Sequence, residues 1–346
     1  MVTIQKKWCI YRKVVDKPKK IFERLFMKIT VIGSGRWGSF ITWYLHKIGH
    51  ILTVYGRAQS TSFKQILQTR QSGMIHFDEN IQLTTDLPQA MSSCDVLIIS
   101  VSSQNLRELL YSIYPYIPQH KIIVLCMKGI EMNSGKRLSE VVLDVIPGAR
   151  IAVWVGPGHV QDFLSGQPNC MVIDSLDSTV TEFLIDSFSG NLIRFYYGTD
   201  LIGSEVGAAS KNVIGIAAGV LDGLNKSSLK GALMSRGTRE IARLIKAMGG
   251  NEMSAYGLCH LGDYEATVFS QYSHNRQYGE YLVSGKSYDF LAEGVYTVKA
   301  LCLLSEKYKV DLPICNSVYQ VIYNKADIHQ TMTQLFLRKQ RDEFYL

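Results

Sequence analysis

A strand, a glycine-rich turn and a helix follow one another near the start of the chain, and this order constrains the fold more than any other feature. The apolar run 28–32 (KITVI) leads directly into GSGRWG at 33–38, which has the spacing G-x-G-x-x-G. The pattern predicts a helix over 39–47 that ends before Gly49, and a second strand over 51–55. Such a motif between a strand and a helix is typical of a β-α-β unit that binds a dinucleotide.

Each glycine of the motif has its own physical purpose. We expect Gly33 to make the tight turn, Gly35 to let a pyrophosphate approach the backbone, and Gly38 to let the helix pack closely on the strand. The positive end of the helix dipole would then face the phosphates. We therefore predict that the cofactor is bound by Gly33, Gly35, Arg36, Trp37 and Gly38.

The end of the second predicted strand bears on the choice of cofactor. NAD-selective sites usually carry an acidic residue there for the ribose hydroxyls, but this chain has Tyr55, Gly56 and Arg57, and its next carboxylate is Asp78. An arginine can bind the 2′-phosphate of NADP. Arg57 therefore favours NADPH as the cofactor, with NADH as the other possibility.

Further apolar strands are predicted at 96–101, 121–127 and 150–155, with helices between them. Continuous apolar strands of this kind indicate a Rossmann-type, doubly wound parallel sheet, in which ligands bind at the carboxyl ends of the strands. Lys128 and the turn 156–159 come directly after two of these strands. Both are therefore candidates for a binding site at that edge.

The second half of the chain is predicted to be all-helical, with no convincing strand between its helices. The predicted helices cover 204–224, 230–248 and 292–308. The expected organisation is a basic extension, a dinucleotide-binding domain, a helical substrate and catalytic domain and a charged tail, at 1–26, 27–200, 201–335 and 336–346.

A stripe of small residues marks the first of these helices. Gly203, Gly207, Lys211, Gly215 and Gly219 recur every four positions, so they share one face of a helix. Glycine inside a helix costs about 1 kcal/mol relative to alanine, which calls for a compensating close approach. We expect this stripe to bring the helix close to the cofactor-bearing domain, with the lysine at the contact.

The charge of the chain is concentrated at its start. Of the formal net charge of +7, residues 1–26 contribute +6 through eight basic and two acidic residues. The nearly neutral body argues against a nucleic-acid surface. No apolar run is long enough for a membrane span, so we expect no stable membrane insertion. Met27 could itself begin a protein, so the extension is either a genuine basic arm or a misassigned start.

The cysteines and histidines point away from disulfides and metals. The seven cysteines are scattered without a C-x-x-C pair, and the eight histidines show no metal-binding spacing. This pattern predicts reduced thiols, no metal site and a cytoplasmic location.

Taken in order, eight segments of residues 27–323 resemble the NAD(P)-dependent sn-glycerol-3-phosphate dehydrogenase family. The segments are GSGRWG, CMKGIE, VGPGH, SEVGAASKNVIGIAAGVLDGL, GALMSRGTREIARLIKAMGG, GLCHLGD, SHNRQYG and AEGVYTVKAL. The resemblance implies an oxidoreductase that reduces dihydroxyacetone phosphate to sn-glycerol 3-phosphate for glycerophospholipid synthesis. It also implies a homodimer.

The resemblance also implies roles for individual residues. Lys211 would be the general acid, and the base in the reverse direction, because a lysine among apolar neighbours has a lowered pKa. Asn212 would orient the substrate, Lys128 would add positive charge, Asp263 would contact the lysine, and Thr267 would lie beside it. Further binding positions implied for cofactor or substrate are Gly156, Gly158, Val160, Ser273, His274, Asn275, Arg276 and Glu293.

Two positions depart from the family pattern. Gly158 stands where the family usually has serine, and His274 where it has an arginine that holds phosphate and cofactor. A neutral histidine gives a weaker grip on phosphate than arginine. Two alternatives therefore stay open: a related dehydrogenase for another small carbonyl compound, and a catalytically silent NADPH-binding sensor.

Overall fold

The computed structural model describes residues 26–92, 94–117, 121–340 and 342–343. The predicted basic extension, apart from Phe26, and Cys9 lie outside the described residues. The described residues form the strands β1 (Lys28–Ile32), β2 (Ile51–Tyr55), β3 (Gln71–Ser72), β4 (Ile75–His76), β5 (Gln82–Thr84), β6 (Val96–Ile99), β7 (Ile122–Leu125), β8 (Arg150–Val155), β9 (Asn169–Ser175) and β10 (Ile193–Tyr197).

The helices of the described residues accompany the sheet in the first half of the chain and stand alone in the second. They are α1 (Arg36–Lys47), α2 (Thr61–Thr69), α3 (Leu87–Ser92), α4 (Leu106–Ile113), α5 (Leu138–Val145), α6 (Val160–Leu164), α7 (Ser178–Phe188), α8 (Leu201–Gly223), α9 (Lys230–Ala247), α10 (His274–Ser284), α11 (Glu293–Tyr308), α12 (Pro313–Tyr323) and α13 (Ile328–Phe336). None of them is long and apolar enough to cross a membrane.

Eight strands form one sheet in the order β10-β9-β8-β7-β6-β1-β2-β5, and β3 and β4 form a separate hairpin. Residues of the central strands alternate between two apolar cores: Val96 and Ile98 face one, whereas Leu97 and Ile99 face the other. Both faces are therefore covered, as the continuous apolar runs predicted. The predicted fold class, a Rossmann-type sheet followed by a helical region, is confirmed.

The sheet departs from an all-parallel arrangement at one joint. β8 and β9 pair antiparallel, whereas the other neighbours in the large sheet pair parallel. The intervening α6 has five residues and spans only about 8 Å. It is too short to return the chain along a strand of about 20 Å, so β9 starts at the edge where β8 ends and runs back. The predicted doubly wound sheet thus contains one antiparallel joint, which the sequence did not indicate.

The glycine stripe on α8 packs against its own half of the molecule. A Cβ on Gly207 would lie 3.1 Å from the His260 side chain, and one on Gly219 would lie 1.8 Å from the carbonyl oxygen of Arg276. Gly215 likewise faces Thr267 and Asn275. The expectation that the stripe meets the cofactor-bearing domain was therefore wrong, because the atoms closest to these three glycines belong to residues 259–279, which include the start of α10.

Candidate active site

The buried core of the site is a carboxylate between two lysines. Oδ2 of Asp263 lies 2.6 Å from Nζ of Lys211 and 2.6 Å from Nζ of Lys128. Asp263 is 1% exposed and Lys211 is 7% exposed. Lys128 also donates to the carbonyl oxygen of Gly156 at 2.7 Å. Two cations around one carboxylate leave an excess of positive charge, which suits an anionic ligand.

Three parts of the fold bring these groups together. Lys128 follows β7 and Gly156 follows β8, so both lie at the carboxyl edge of the sheet. Lys211 comes from the middle of α8, and Asp263 ends a short 3₁₀ turn, Leu261–Asp263. A lysine from the helical half of the molecule is thus placed at the open edge of the sheet.

Thr267 completes the surroundings of the lysine. Its hydroxyl accepts a hydrogen bond from Nζ of Lys211 at 2.7 Å and donates to the carbonyl oxygen of Asp263 at 2.8 Å. Thr267 lies in a π-helical turn, Glu265–Phe269, and such turns are common at functional sites. The turn directs the side chain toward α8, where Gly215 leaves room for it.

Burial is the main influence on the protonation of Lys211. It lowers the pKa of Lys211 to about 7, with a further lowering by the charge of Lys128, whereas the Asp263 carboxylate opposes the shift. A lysine in this environment exchanges a proton near neutral pH. It can therefore serve as an acid in one direction of a reaction and as a base in the other.

One oxygen of the central carboxylate has no partner. Oδ1 of Asp263 is buried, and none of the described residues donates a hydrogen bond to it. An unsatisfied buried carboxylate oxygen is costly unless a ligand supplies a donor. Asp263 is thus able to accept a hydrogen bond from a bound hydroxyl group while Oδ2 holds both lysines.

A chain of amides supports the edge of the cluster. Asn212 donates to the carbonyl oxygen of Lys128 at 3.2 Å and accepts from Nδ2 of Asn275 at 3.1 Å. Oδ1 of Asn275 in turn accepts from the backbone N–H of Gly294 at 2.9 Å. These two predicted site residues are therefore engaged in joining α8, α10 and α11 to the end of β7.

The glycine-rich turn has the geometry that a dinucleotide requires. Gly33 has a φ of +107°, and a Cβ on Gly38 would lie 1.9 Å from the carbonyl oxygen of Gly33. A Cβ on Gly35, by contrast, would meet no heavy atom of the described chain within 4 Å, so the backbone there is open to a ligand. The turn leads into α1, whose amino end suits a pyrophosphate.

Comparison with known proteins agrees with this geometry. The family models described as NAD-dependent glycerol-3-phosphate dehydrogenase N-terminus and C-terminus match residues 28–181 and 200–333. A protein of Pelodictyon phaeoclathratiforme named glycerol-3-phosphate dehydrogenase [NAD(P)+] is 33% identical over 333 residues, covering 92% of this chain and 99% of its own. The chain belongs to the NAD-dependent glycerol-3-phosphate dehydrogenase family.

Other relatives match the chain over a similar length. A Fusobacterium nucleatum protein of the same name is 33% identical over 331 residues, with coverage of 92% of this chain and 98% of its own. The crystal structure of glycerol-3-phosphate dehydrogenase from Coxiella burnetii has a TM-score of 0.85 at 26% identity, covering 90% of this chain and 99% of that one. The resemblance found in the sequence is confirmed.

In this member of the glycerol-3-phosphate dehydrogenase family, the remaining predicted cofactor positions lie on several elements of the first half of the chain. Arg36 and Arg57 are exposed, and Val160 is buried at the start of α6. Trp37 packs on Phe40 with ring centroids 5.1 Å apart. Its indole Nε1 is buried and has no acceptor among the residues that the structure covers.

Glu293 links the two halves of the family fold. Its carboxylate accepts from the backbone N–H of Ser103 at 3.1 Å and from the hydroxyl of Ser103 at 2.5 Å. Ser103 follows β6 at the carboxyl edge of the sheet, whereas Glu293 begins α11. The glutamate predicted near the cofactor thus reaches from the helical half to the carboxyl edge of the sheet.

The two positions that depart from the family pattern have clear structural surroundings. Gly158 has a φ of +151°, and a Cβ there would lie 2.4 Å from the ring of Phe163. A serine could not occupy this conformation without strain. His274 is half-buried; its Nδ1 lies 2.6 Å from the hydroxyl of Tyr288, and its ring stacks on Phe290 at 5.4 Å. Burial lowers the pKa of His274, and the charge of Arg36 lowers it further.

The contacts of Ser273 and Arg276 lie within the helical half of the molecule. The hydroxyl of Ser273 accepts from the backbone N–H of Arg276 at 3.3 Å and caps α10. The guanidinium of Arg276 lies 2.6 Å from Asp222 and 2.9 Å from Glu280. Asp222 is about 16 Å from Lys211 along the axis of α8, so the guanidinium of Arg276 lies well away from that lysine.

His159 had no predicted role of its own, although the turn 156–159 that contains it was predicted as a candidate for the binding site. Its ring nitrogen Nε2 is buried and has no partner among the described residues. Its position at the carboxyl edge of the sheet was a usable signal, because ligands bind there. Tyr288, which contacts His274, had no such signal, since it lies in an irregular segment between α10 and α11.

Proposed function

We propose that this chain catalyses the NAD(P)H-dependent reduction of dihydroxyacetone phosphate to sn-glycerol 3-phosphate, and the reverse oxidation, as a source of glycerophospholipid precursor. The observation that carries the proposal is the buried contact between Lys211 and Asp263 beside Lys128, at the open edge of a dinucleotide-binding sheet. The names of the relatives support the same reaction.

Lys211 supplies the proton in this proposal. When bound, the nicotinamide supplies a hydride to the ketone carbon, and the oxygen of that ketone then needs a proton. The ammonium group of Lys211, with a pKa lowered by burial to about 7, donates it. In the oxidation the neutral amine accepts the proton of the alcohol. Thr267 holds the amine in place through its 2.7 Å hydrogen bond.

Lys128 has an electrostatic role. Its ammonium stabilises negative charge that develops on the ketone oxygen or that the substrate phosphate carries, while Asp263 keeps it next to Lys211. Asn212 fixes the backbone that bears Lys128. His274 faces the phosphate in this proposal. Ser273 and Arg276 hold α10 rather than contact the substrate.

The glycine-rich turn binds the dinucleotide, and NADPH is preferred over NADH. Arg57 follows β2, is exposed, and stands where an acidic residue would favour NADH. We expect Arg57→Ala to lower kcat/KM for NADPH by about tenfold, the size of one charged contact, and to leave that for NADH unchanged. An equal effect on both cofactors would contradict the preference.

The decisive assay follows the loss of NADPH absorbance with dihydroxyacetone phosphate and, separately, with unphosphorylated dihydroxyacetone. The proposed function predicts a much higher kcat/KM for the phosphorylated ketone. Equal rates with the two ketones would overturn the choice of substrate. No turnover with any small carbonyl compound, together with tight NADPH binding, would instead identify a cofactor sensor.

We also propose a homodimer in the cytoplasm. The helix α13 leaves Phe336 67% exposed and is followed by Leu337 at 78%, so an apolar surface is available for a second copy. The free cysteines Cys94, Cys126, Cys259 and Cys315 are buried, as in proteins of reducing compartments. Light scattering coupled to size-exclusion chromatography tests the dimer, and fractionation of cells tests the location.

A further inference from the structure

His159 lies where the substrate is expected to bind, yet nothing in the catalytic cluster uses it. It occupies the last position before α6, in the turn that follows β8. The same turn provides Gly156, whose carbonyl oxygen accepts from Lys128 at 2.7 Å. The imidazole is half-buried and contacts the ring of Tyr272 edge-on, with centroids 6.0 Å apart. The side chain is therefore held at one wall of the site.

One ring nitrogen of His159 lacks a hydrogen-bond partner within the described residues. Nε2 of His159 is buried and meets no hydrogen-bonding group among the residues that the structure describes. Burying a polar atom without a partner is unfavourable, and such atoms in active sites often become paired when a ligand binds. Oδ1 of Asp263 is unpaired and buried in the same way. Lys128 joins their surroundings, because its Nζ lies 2.7 Å from the carbonyl oxygen of Gly156, in the turn of His159, and 2.6 Å from Oδ2 of Asp263.

The charges around His159 limit what it can bind. Burial and the charge of Lys211 lower its pKa, whereas Asp162, Glu265 and Asp263 oppose that shift. The ring is thus held uncharged at neutral pH, with three carboxylates near it. A phosphate dianion would be repelled by those carboxylates, whereas a hydroxyl group would not.

We propose that His159 binds the free hydroxyl group of the substrate through Nε2, with Asp263 as the second partner of that hydroxyl. A hydroxyl both donates and accepts: it would donate to Oδ1 of Asp263 and accept from the N–H of the imidazole. This inference rests on the proposed function. It makes His159 a residue that recognises the hydroxymethyl end of the ketone, whereas His274 faces the phosphate end.

The test compares two ligands that differ by this one hydroxyl. Dihydroxyacetone phosphate has it, and hydroxyacetone phosphate carries a methyl group in the place of the hydroxymethyl group. His159→Phe retains a ring against Tyr272 and removes the nitrogen. It should raise KM for dihydroxyacetone phosphate by about tenfold, the size of one neutral hydrogen bond. The inhibition constant of hydroxyacetone phosphate and KM for NADPH should stay unchanged.

Two further variants sharpen the result. His159→Gln restores a donor at similar reach and should recover most of the lost affinity. His46→Phe is the matched control, because His46 also has a buried, unpaired ring nitrogen but lies on α1 beside Asp78. His46→Phe should change neither KM for dihydroxyacetone phosphate nor the inhibition constant of hydroxyacetone phosphate.

Three outcomes would overturn the inference while leaving the proposed function intact. They are an unchanged KM in His159→Phe, an equal loss for hydroxyacetone phosphate, and a His159→Gln variant as weak as His159→Phe. Failure of the unaltered protein to reduce dihydroxyacetone phosphate would instead contradict the proposed function.

A measurement on the unaltered protein covers the case in which His159→Phe does not fold. The ¹⁵N resonance of Nε2 should shift when sn-glycerol 3-phosphate is added to the protein with NADP bound, and His159→Gln assigns the signal. The deoxy compound 1,2-propanediol phosphate should produce no comparable shift. Equal shifts with both ligands would exclude the hydroxyl as the partner.

Discussion

Nζ of Lys211 lies 2.6 Å from Oδ2 of Asp263, in a part of the molecule where both side chains are almost completely buried. The carboxylate favours the charged lysine, and burial favours the neutral one. Burial is the larger effect, so the pKa of Lys211 falls to about 7. This balance makes the proton transfer sensitive to each neighbouring charge.

The pH dependence of catalysis should report this balance. Reduction of the ketone needs the protonated lysine, so its kcat/KM should fall as the pH rises through about 7. Oxidation needs the neutral amine, so its kcat/KM should rise over the same range. Initial rates in both directions across this pH range provide the measurement. Parallel profiles in the two directions would contradict the role of Lys211.

Substitutions that remove a charge next to Lys211 should move the inflection of the pH profile, and the two neighbours should move it in opposite directions. Lys128→Gln removes a positive charge that lowers the pKa of Lys211, so the inflection should shift to higher pH. Asp263→Asn removes the charge that raises this pKa, so the inflection should shift to lower pH. His260→Gln is the control, because burial already lowers the pKa of His260 to about 4 and it does not titrate in this range.

Replacement of the lysine should separate chemistry from binding. We expect Lys211→Met to lose turnover by at least about a hundredfold, the lower range for a general acid, while NADPH still binds. Asp263 keeps Lys128 as a partner in this variant, so the fold should persist. Turnover by Lys211→Met near that of the unaltered protein would assign the proton to another group.

Lys211→Met should also change how the free energy of unfolding depends on pH. The pKa of Lys211 in the folded protein, about 7, lies below its ordinary value of 10.5. Between these values the unfolded chain holds a proton that the folded chain lacks, so this lysine makes the free energy of unfolding rise with pH. Lys211→Met should lack that rise. Urea titrations at several pH values within this window provide the comparison.

The sequence predicted the sheet better than it predicted the partners of its residues. The bounds of β1, β2 and β8 agree with the structure, because buried parallel strands are short apolar runs between turn signals. The antiparallel joint before β9 was missed, since it depends on how far α6 carries the chain. The glycine stripe of α8 indicated a close approach, but periodicity cannot say which segment approaches.

The candidate site shows the same limit. Lys211 and Asp263 are 52 positions apart in sequence, and only the family resemblance linked them before the structure placed them 2.6 Å apart. Arg276 matched a binding motif, yet the structure pairs it with Asp222 and Glu280. A sequence motif predicts which type of residue stands at a position. The ion pairs that form in the folded protein determine where the charged group of a long side chain lies.

Binding of the substrate phosphate should improve when an arginine replaces His274. His274 is kept uncharged by burial and by Arg36, so it offers phosphate no permanent charge. We expect His274→Arg to lower KM for dihydroxyacetone phosphate by on the order of tenfold, because a charged hydrogen bond replaces a neutral one. Tyr288→Phe, which removes the 2.6 Å contact with His274, is the companion variant. An unchanged KM in His274→Arg would remove position 274 from the phosphate site.

Two glycines in neighbouring helices should respond to alanine with opposite signs. A Cβ on Gly219 of α8 would lie 1.8 Å from the carbonyl oxygen of Arg276 and 3.0 Å from Cα of Gly279, so α8 and α10 would have to separate. We expect Gly219→Ala to lower the free energy of unfolding by about 1–3 kcal/mol, the usual cost of overpacking.

A Cβ on Gly231 of α9 would meet no heavy atom of the described residues within 4 Å. Gly231→Ala should therefore stabilise the protein by up to about 1 kcal/mol through helix propensity. Chemical denaturation of the two variants measures both effects, and a Gly219→Ala protein as stable as the parent would show that the α8–α10 contact can yield.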